Sequence, residues 1–322
     1  MEKKKINLAD FLGKFGIVII LVALVVFFTA KNPTFIELSN IINVLRQVAI
    51  NGIICVGMTM VLVTGGIDLS VGSVAGMGTV VCAMLLLAGV PWYVSLLICL
   101  VIGTACGMIN GFLVNQIHIP PLIATLGMCT TLRGLCYLLT GGTPVFGFPS
   151  DILFLGKGTI FGIIPVPVVI MVIVFVLGIL FLQKTRYGTY IYGIGGNEEA
   201  ARLSGINTKR MKYICYSVCG ALSALAGVVL LARVNSGQPK TGDGYEMDVI
   251  TACVLGGVSI NGGEGKLSFV TFGLLIMGVL SNGMIMINVS DYWQQFIKGL
   301  VLIAAVAFDQ GMQRMKAKQL QN

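Results

Sequence analysis

The sequence predicts an all-α integral membrane protein, a polytopic bundle of about 10 transmembrane helices with the eighth short or broken. Three observations lead there. Hydrophobic residues make up 56% of the 322 and charged residues only 11%, against roughly 45–50% and 25% in soluble domains. So few charges cannot cover a water-facing surface. The apolar residues also fall in runs: ten spans of about 20 residues each would use about 200, leaving about 120 for all tails and loops. Third, most of the basic charge sits in clusters flanking those runs. This pattern excludes an independent soluble catalytic domain, and residues 1–322 read as a single transmembrane domain.

The net charge of +8 is a matter of topology. Lys3, Lys4, Lys5 and Lys14 precede the first apolar run. Lys184, Arg186, Arg202, Lys209, Arg210 and Lys212 lie in the long polar stretch 183–212, and Arg314, Lys316 and Lys318 form a basic tail. Basic clusters beside spans mark the cytoplasmic side, so both termini and the 183–212 loop are expected there. No nucleic-acid partner is needed to explain them. The basic, then apolar N-terminus resembles a signal peptide, but no small-residue cleavage pattern follows Ala30. It reads as a retained first span.

The runs are approximately 15–30, 41–64, 71–90, 93–113, 122–140, 165–182, 213–232, 246–259, 267–287 and 293–311. Lys31-Asn32-Pro33, Gly65-Gly66, Pro91, Pro120-Pro121 and the 141–149 stretch punctuate them. Six crossings return the chain to the cytoplasm at 183–212. The 246–259 run is short for a span. If it crosses, the basic tail at 314–318 ends inside, as the charge rule requires; if it is re-entrant, the tail ends outside. Ten crossings follow, with the eighth helix short, tilted or broken at Gly256-Gly257.

Forty-two glycines suit close helix approach, which carries much of the packing in lipid. The stretches 103–107 and 273–278 are small-residue runs of this kind, and Gly72, Gly76 and Gly78 open the third span. Gly65-Gly66-Ile67-Asp68-Leu69-Ser70 echoes Gly256-Gly257-Val258-Ser259-Ile260-Asn261, though six positions are too few to establish a repeat. The nine cysteines all lie in apolar runs, and the single histidine, His118, lies elsewhere. They read as packing residues, with no metal site.

The 257–268 stretch, GVSINGGEGKLS, superficially resembles a phosphate-binding loop. That motif needs glycine five before its Gly-Lys pair and Ser or Thr after it, where this chain has Ile260 and Leu267. No ATPase site is recognisable. Arg46, Arg133, Lys298 and Asp309 lie within runs, with Asp68 and Asp248 near run ends. Such residues serve ion-coupled carriers, or they snorkel or pair within the bundle. No Glu/Asp/His relay accompanies them.

The 195–207 segment, GGNEEAARLSGIN, carries a bounded helix signal. Asn197 is a good N-cap, Glu198 and Glu199 sit where the helix dipole favours anions, Ala200 and Ala201 are strong helix formers, and Gly205 suits the stop. A short two-turn helix exposed to the cytoplasm is expected, as a plain surface connector or as a docking element for a partner.

Glu199-Ala200-Ala201-Arg202-Leu203-Ser204-Gly205 resembles the Glu-Ala-Ala-x-x-x-Gly loop of the permeases of ABC importers. The surrounding GGNEEAARLSGIN is similar to the version in the monosaccharide group of that family (ribose, galactose, xylose). GMTMVLVTGGIDLSVG at 57–72 and GYEMDVITACVLGGVSINGGEGK within 236–266 agree, and the 187–266 run is most similar to the ribose version. The resemblance extends from about Asn32 to Asp309.

It implies a permease subunit of the bacterial inner membrane, paired with a second permease copy and surrounded by lipid. Its partners would be cytoplasmic ABC ATPase subunits, which bind ATP and Mg, and a periplasmic or lipid-anchored sugar-binding protein. The chain itself would hold no cofactor and catalyse nothing. Asn197, Glu198, Glu199, Ala200, Ala201, Arg202 and Gly205 would form the coupling helix to the ATPase, with the glutamates facing cationic neighbours there or serving as caps. For the pathway of a monosaccharide, ribose first, the polar span residues Asn51, Thr59, Asn110, Thr130, Asn282 and Asn288 are candidates, each equally able to bond a neighbouring helix. The external segments 141–162 and 233–245 are candidates for meeting the binding protein. The alternative function is an ion-coupled secondary carrier or channel for a small polar solute.

Overall fold

The computed structural model describes residues 8–319 and is built almost wholly of helices. All ten apolar runs fall on them: α1 (Leu8–Lys31), α2 (Leu38–Val63), α3 (Val71–Leu87), α4 (Trp92–Asn115), α5 (Pro121–Thr140), α7 (Val166–Lys184), α10 (Thr208–Val234), α11 (Tyr245–Leu255), α12 (Leu267–Met286) and α13 (Asp291–Gln319). Three further short helices, α6 (Phe154–Lys157), α8 (Arg186–Gly196) and α9 (Glu198–Leu203), occupy connections. Among the described residues, six helices are long and apolar enough to cross a membrane: α2, α4, α5, α7, α10 and α12. The 183–212 loop is largely helical, and α10 begins at Thr208, before the apolar run itself.

The long helix α10 is the spine, packed on α2, α3 and α4. Its neighbours approach to backbone distance because the facing positions lack side chains. A Cβ on Gly57 of α2 would stand 2.5 Å from Cys219 Cα, and one on Gly103 of α4 would overlap the Gly220 carbonyl. Around this seam the core is fully buried at Ile53, Ile54, Met58, Leu62, Tyr216 and Leu231. Eight of the nine cysteines are buried, all are free thiols, and they pack; Thr59 and Cys253 meet at 3.6 Å between α2 and α11.

The short helix α11 follows a run of turns. The 235–244 segment runs alongside α3, so close that a Cβ on Gly76 would stand 2.7 Å from Thr241 O. It delivers the chain to α11, which has 11 residues and packs parallel to α2, with Cys55 Sγ donating to Val249 O at 3.7 Å. The expected short eighth segment, 246–259, is α11 followed by the turn at Gly256-Gly257. α2 and α11 end in the same way. Gly65 and Gly257 each adopt φ near +79°, and the next amides close back: Gly66 N to Val61 O at 3.1 Å, Val258 N to Cys253 O at 3.0 Å. This is the Schellman cap, which glycine serves without steric cost. Both helices thus stop at a glycine, but the equivalent residues are Gly65 and Gly257, with Gly256 matching Thr64, so the six-residue echo of the sequence is one position out of register with the structure.

The ionisable residues of the runs are tied to protein partners. Lys298 pairs with Asp248, and Arg133 donates to the Pro239 and Thr241 carbonyls at 2.7 and 2.6 Å. Arg46 reaches Lys157 O at 3.2 Å, and Asp309 accepts from Gln313 at 3.0 Å. Asp68 accepts from Ser70 N and Oγ at 2.9 and 2.6 Å. The pairing reading of these residues is the one observed.

Candidate coupling site

α8 continues almost directly from α7. Thr185 caps it, accepting from Gly188 N at 3.3 Å while donating to Phe181 O at 2.7 Å. Ile191 and Ile194 bury one face, which holds a helix together across four glycines. At Asn197 the backbone turns extended (φ −160°, ψ 104°). Its amide closes α8 on Gly193 O at 3.1 Å, and its side-chain oxygen opens α9 by accepting from Ala200 N at 2.9 Å. One residue therefore ends one helix and begins the next.

α9 has six residues and is closed at its far end by Gly205 at φ +84°. Gly205 N donates to Arg202 O at 3.0 Å and Ile206 N to Ala201 O at 3.1 Å, a third Schellman closure. Ala201 is buried with Ile194 and Met211, and Tyr187, Tyr190, Ile206 and Ile214 pack around them. This satellite core fastens α9 to α8 and α10.

The acidic residues are balanced at home. Glu199 pairs with Arg202 and Glu198 with Lys212, each at 2.6 Å. Such exposed pairs contribute only about 0–1 kcal/mol, so they orient the helix more than they hold it. What remains outward and unmatched is apolar. Leu203 is 79% exposed, beside exposed Ala200 and Ser204. Sequence reasoning named the cap, the glutamates and the stop but passed over Leu203; an apolar residue in a short polar helix was the available signal.

The six polar span residues are not brought together. Thr59 and Asn110 are fully buried. Asn110 donates to Ser70 Oγ at 2.9 Å and Asp68 Oδ1 at 3.3 Å, while its own Oδ1 has no partner. Asn282 exchanges hydrogen bonds with Asn40 at 2.9 and 3.0 Å. Asn51 is half-buried in α2. Thr130 is exposed on α5, its hydroxyl turned to Gly127 O at 2.9 Å. Asn288 is exposed in the turn after α12, at φ 56°.

At the other end of α10 from α9 lies an open cavity of about 890 Å³, lined by Gln238, Lys240, Asp243, Tyr245, Asp291 and Gln295 among others. Donors, acceptors and a ring face share this space, and the 27 residues of α10 separate it from α9 by about 40 Å at 1.5 Å per residue.

The family described as "Branched-chain amino acid transport system / permease component" matches residues 40–306. The ribose import permease protein of Bacillus subtilis is 43% identical over 96% of this chain and 96% of its own length. The L-arabinose transport system permease protein of Escherichia coli is 37% identical, over 94% of this chain and 92% of its own. A probable ABC transporter permease protein of Escherichia coli is 34% identical over 95% and 93%. No solved structure matches the chain. The chain belongs to the permease family of ABC importers, in its monosaccharide group, and is a multi-pass protein of the inner membrane.

Proposed function

We propose that this chain is the membrane subunit of an ATP-driven monosaccharide importer with ribose as its cargo, working as a pair of copies and drawing its energy through α9. The observation that carries this is α9 itself. It is capped at both ends, fastened to α10 by a small core, charge-balanced within the chain, and left with Leu203 outward. A rigid element presenting one apolar knob suits docking into a groove of a separate ATPase that binds ATP and Mg. In this reading the coupling set is Asn197, Glu198, Glu199, Ala200, Ala201, Arg202 and Gly205, with Leu203 added. The glutamates orient the helix, and the apolar tip makes the contact.

The single domain crosses ten times with both termini cytoplasmic. α9 is on the cytoplasmic side and the 890 Å³ cavity on the outer side, where a sugar-binding protein delivers cargo. Hydroxyl-matching groups such as Gln238, Asp243 and Gln295 suit a sugar held weakly before passage. The pathway fits exposed Thr130 and Asn288 better than Thr59, Asn110 and Asn282, which already bond within the bundle. Ribose as cargo is supported by the named activity of the Bacillus subtilis relative, with arabinose the competitor from the second.

The test is co-purification of the cognate ATPase with a Leu203→Glu chain. Burying an unpaired charge in an apolar groove is costly, so the ATPase should be lost while membrane insertion is unchanged. Full retention of the ATPase contradicts the docking role. A panel of labelled pentoses and hexoses, presented with the binding protein, then decides the cargo.

A further inference from the structure

Directly behind α9, three backbone segments meet with no side chain between them. Gly195, near the end of α8, lies against Val63 at the end of α2 and Gly263 in the 256–266 loop; a Cβ there would overlap Val63 O and Gly263 N. Gly262 lies against Gly65: its Cβ would stand 2.7 Å from Gly65 N and 3.1 Å from Gly195 Cα. A Cβ on Gly263 would stand 2.8 Å from Gly196 N. The loop is also hydrogen-bonded to both neighbours, through Gly263 N to Val63 O at 2.9 Å and Tyr192 Oη to Gly265 O at 2.8 Å. Gly262 and Gly263 adopt φ +87° and +74°, a conformation that alanine adopts only with strain. By contrast, Gly193 has nothing within 4 Å of where a Cβ would be.

We propose that Gly195, Gly262 and Gly263 form the joint through which a displacement of α9 is passed to α2, α11 and α12. The proposal rests on the reading of α9 as the coupling helix. Side chains absorb small shifts by changing rotamer, whereas bare backbone in contact has no such slack. Gly195 is two residues from Asn197, so a movement of α9 reaches it almost undiminished. Val63 ends α2, and the 256–266 loop connects α11 to α12. The joint thus addresses three membrane helices at once. These three glycines are positioning residues that act on transport through the backbone they seat.

A merely structural role and a coupling role separate in one assay. Proteoliposomes holding the full importer, with ATPase and sugar-loaded binding protein, are compared for Gly195→Ala, Tyr192→Phe and the neighbouring Gly193→Ala. ATPase co-purification, ATP hydrolysis and sugar uptake are read together. In Gly195→Ala and Tyr192→Phe the ATPase should stay bound and hydrolyse ATP. Uptake per ATP should fall by about two- to thirtyfold, the usual range for coupling residues, with the larger loss in Gly195→Ala. Stimulation of hydrolysis by loaded binding protein should fall with it, and Gly193→Ala should behave as wild type. Wild-type uptake per ATP in Tyr192→Phe, or hydrolysis and uptake falling in parallel in both variants, overturns the joint, and Tyr192→Phe decides alone if Gly195→Ala does not assemble. Failure of the docking reading shows up separately, as an ATPase that stays bound to Leu203→Glu.

Discussion

The Lys298 ammonium stands 2.7 Å from the Asp248 carboxylate and ties α13 to the short helix α11. Both side chains are mostly shielded, at 26% and 13% exposure. Taking one partner away strands the other charge, which costs about 3–5 kcal/mol when burial is complete and less here. Lys298→Met should therefore lower the thermal midpoint of the purified chain clearly. The double variant Lys298→Met/Asp248→Asn, which leaves no orphan charge, should recover most of the loss. Equal midpoints for the single and double variants would show that the pair does not hold α11.

Gly205 closes α9 in the left-handed region, where an L side chain costs about 1–2 kcal/mol. Gly205→Ala should loosen the helix end, seen as faster limited proteolysis within 197–207. Gly205→Pro is more severe, because proline fixes φ near −65° against the observed +84° and deletes the amide that donates to Arg202 O. That variant should insert into the membrane normally yet lose the ATPase.

Asp68 lies in the 64–70 connection, buried, with its Oδ1 accepting from Ser70 and Asn110. Burial pushes its carboxyl above the ordinary value, and the hydrogen bonds from Ser70 and Asn110 oppose this only in part. An acid raised in the fold ionises more readily when unfolded. Its contribution to stability is therefore best at low pH and declines as pH rises from about 3.9 towards the raised value. Asp68→Asn should remove that slope, and its amide can donate to the unpartnered Asn110 Oδ1. Thermal midpoints across this pH range check it: an unchanged slope in Asp68→Asn assigns the dependence elsewhere.

Periodic features of the sequence led reliably to structure, and bonding between distant residues did not. The ten apolar runs became ten helices because apolar composition and run length are local properties. Asn197 and Gly205 bound α9 as expected, since a cap needs only its own next turn. α8 was missed because Gly188, Gly193, Gly195 and Gly196 read as loop; burial of Ile191 and Ile194 outweighs that. The partner of Glu198 lies 14 positions away at Lys212, so local reading saw a free glutamate. Asn110 looked like pathway lining because an isolated letter does not reveal that its amide is already committed to Ser70. The glycine pairs were visible, but that they meet at Val63 is a property of three chain segments.

Sugar uptake by proteoliposomes tests most directly whether this chain is the membrane half of an ATP-driven importer. Labelled ribose should accumulate only when this chain, its ATPase, the binding protein and ATP are all present, with none from the chain alone under a proton or sodium gradient. Gradient-driven accumulation by the chain alone would contradict that role and identify a secondary carrier.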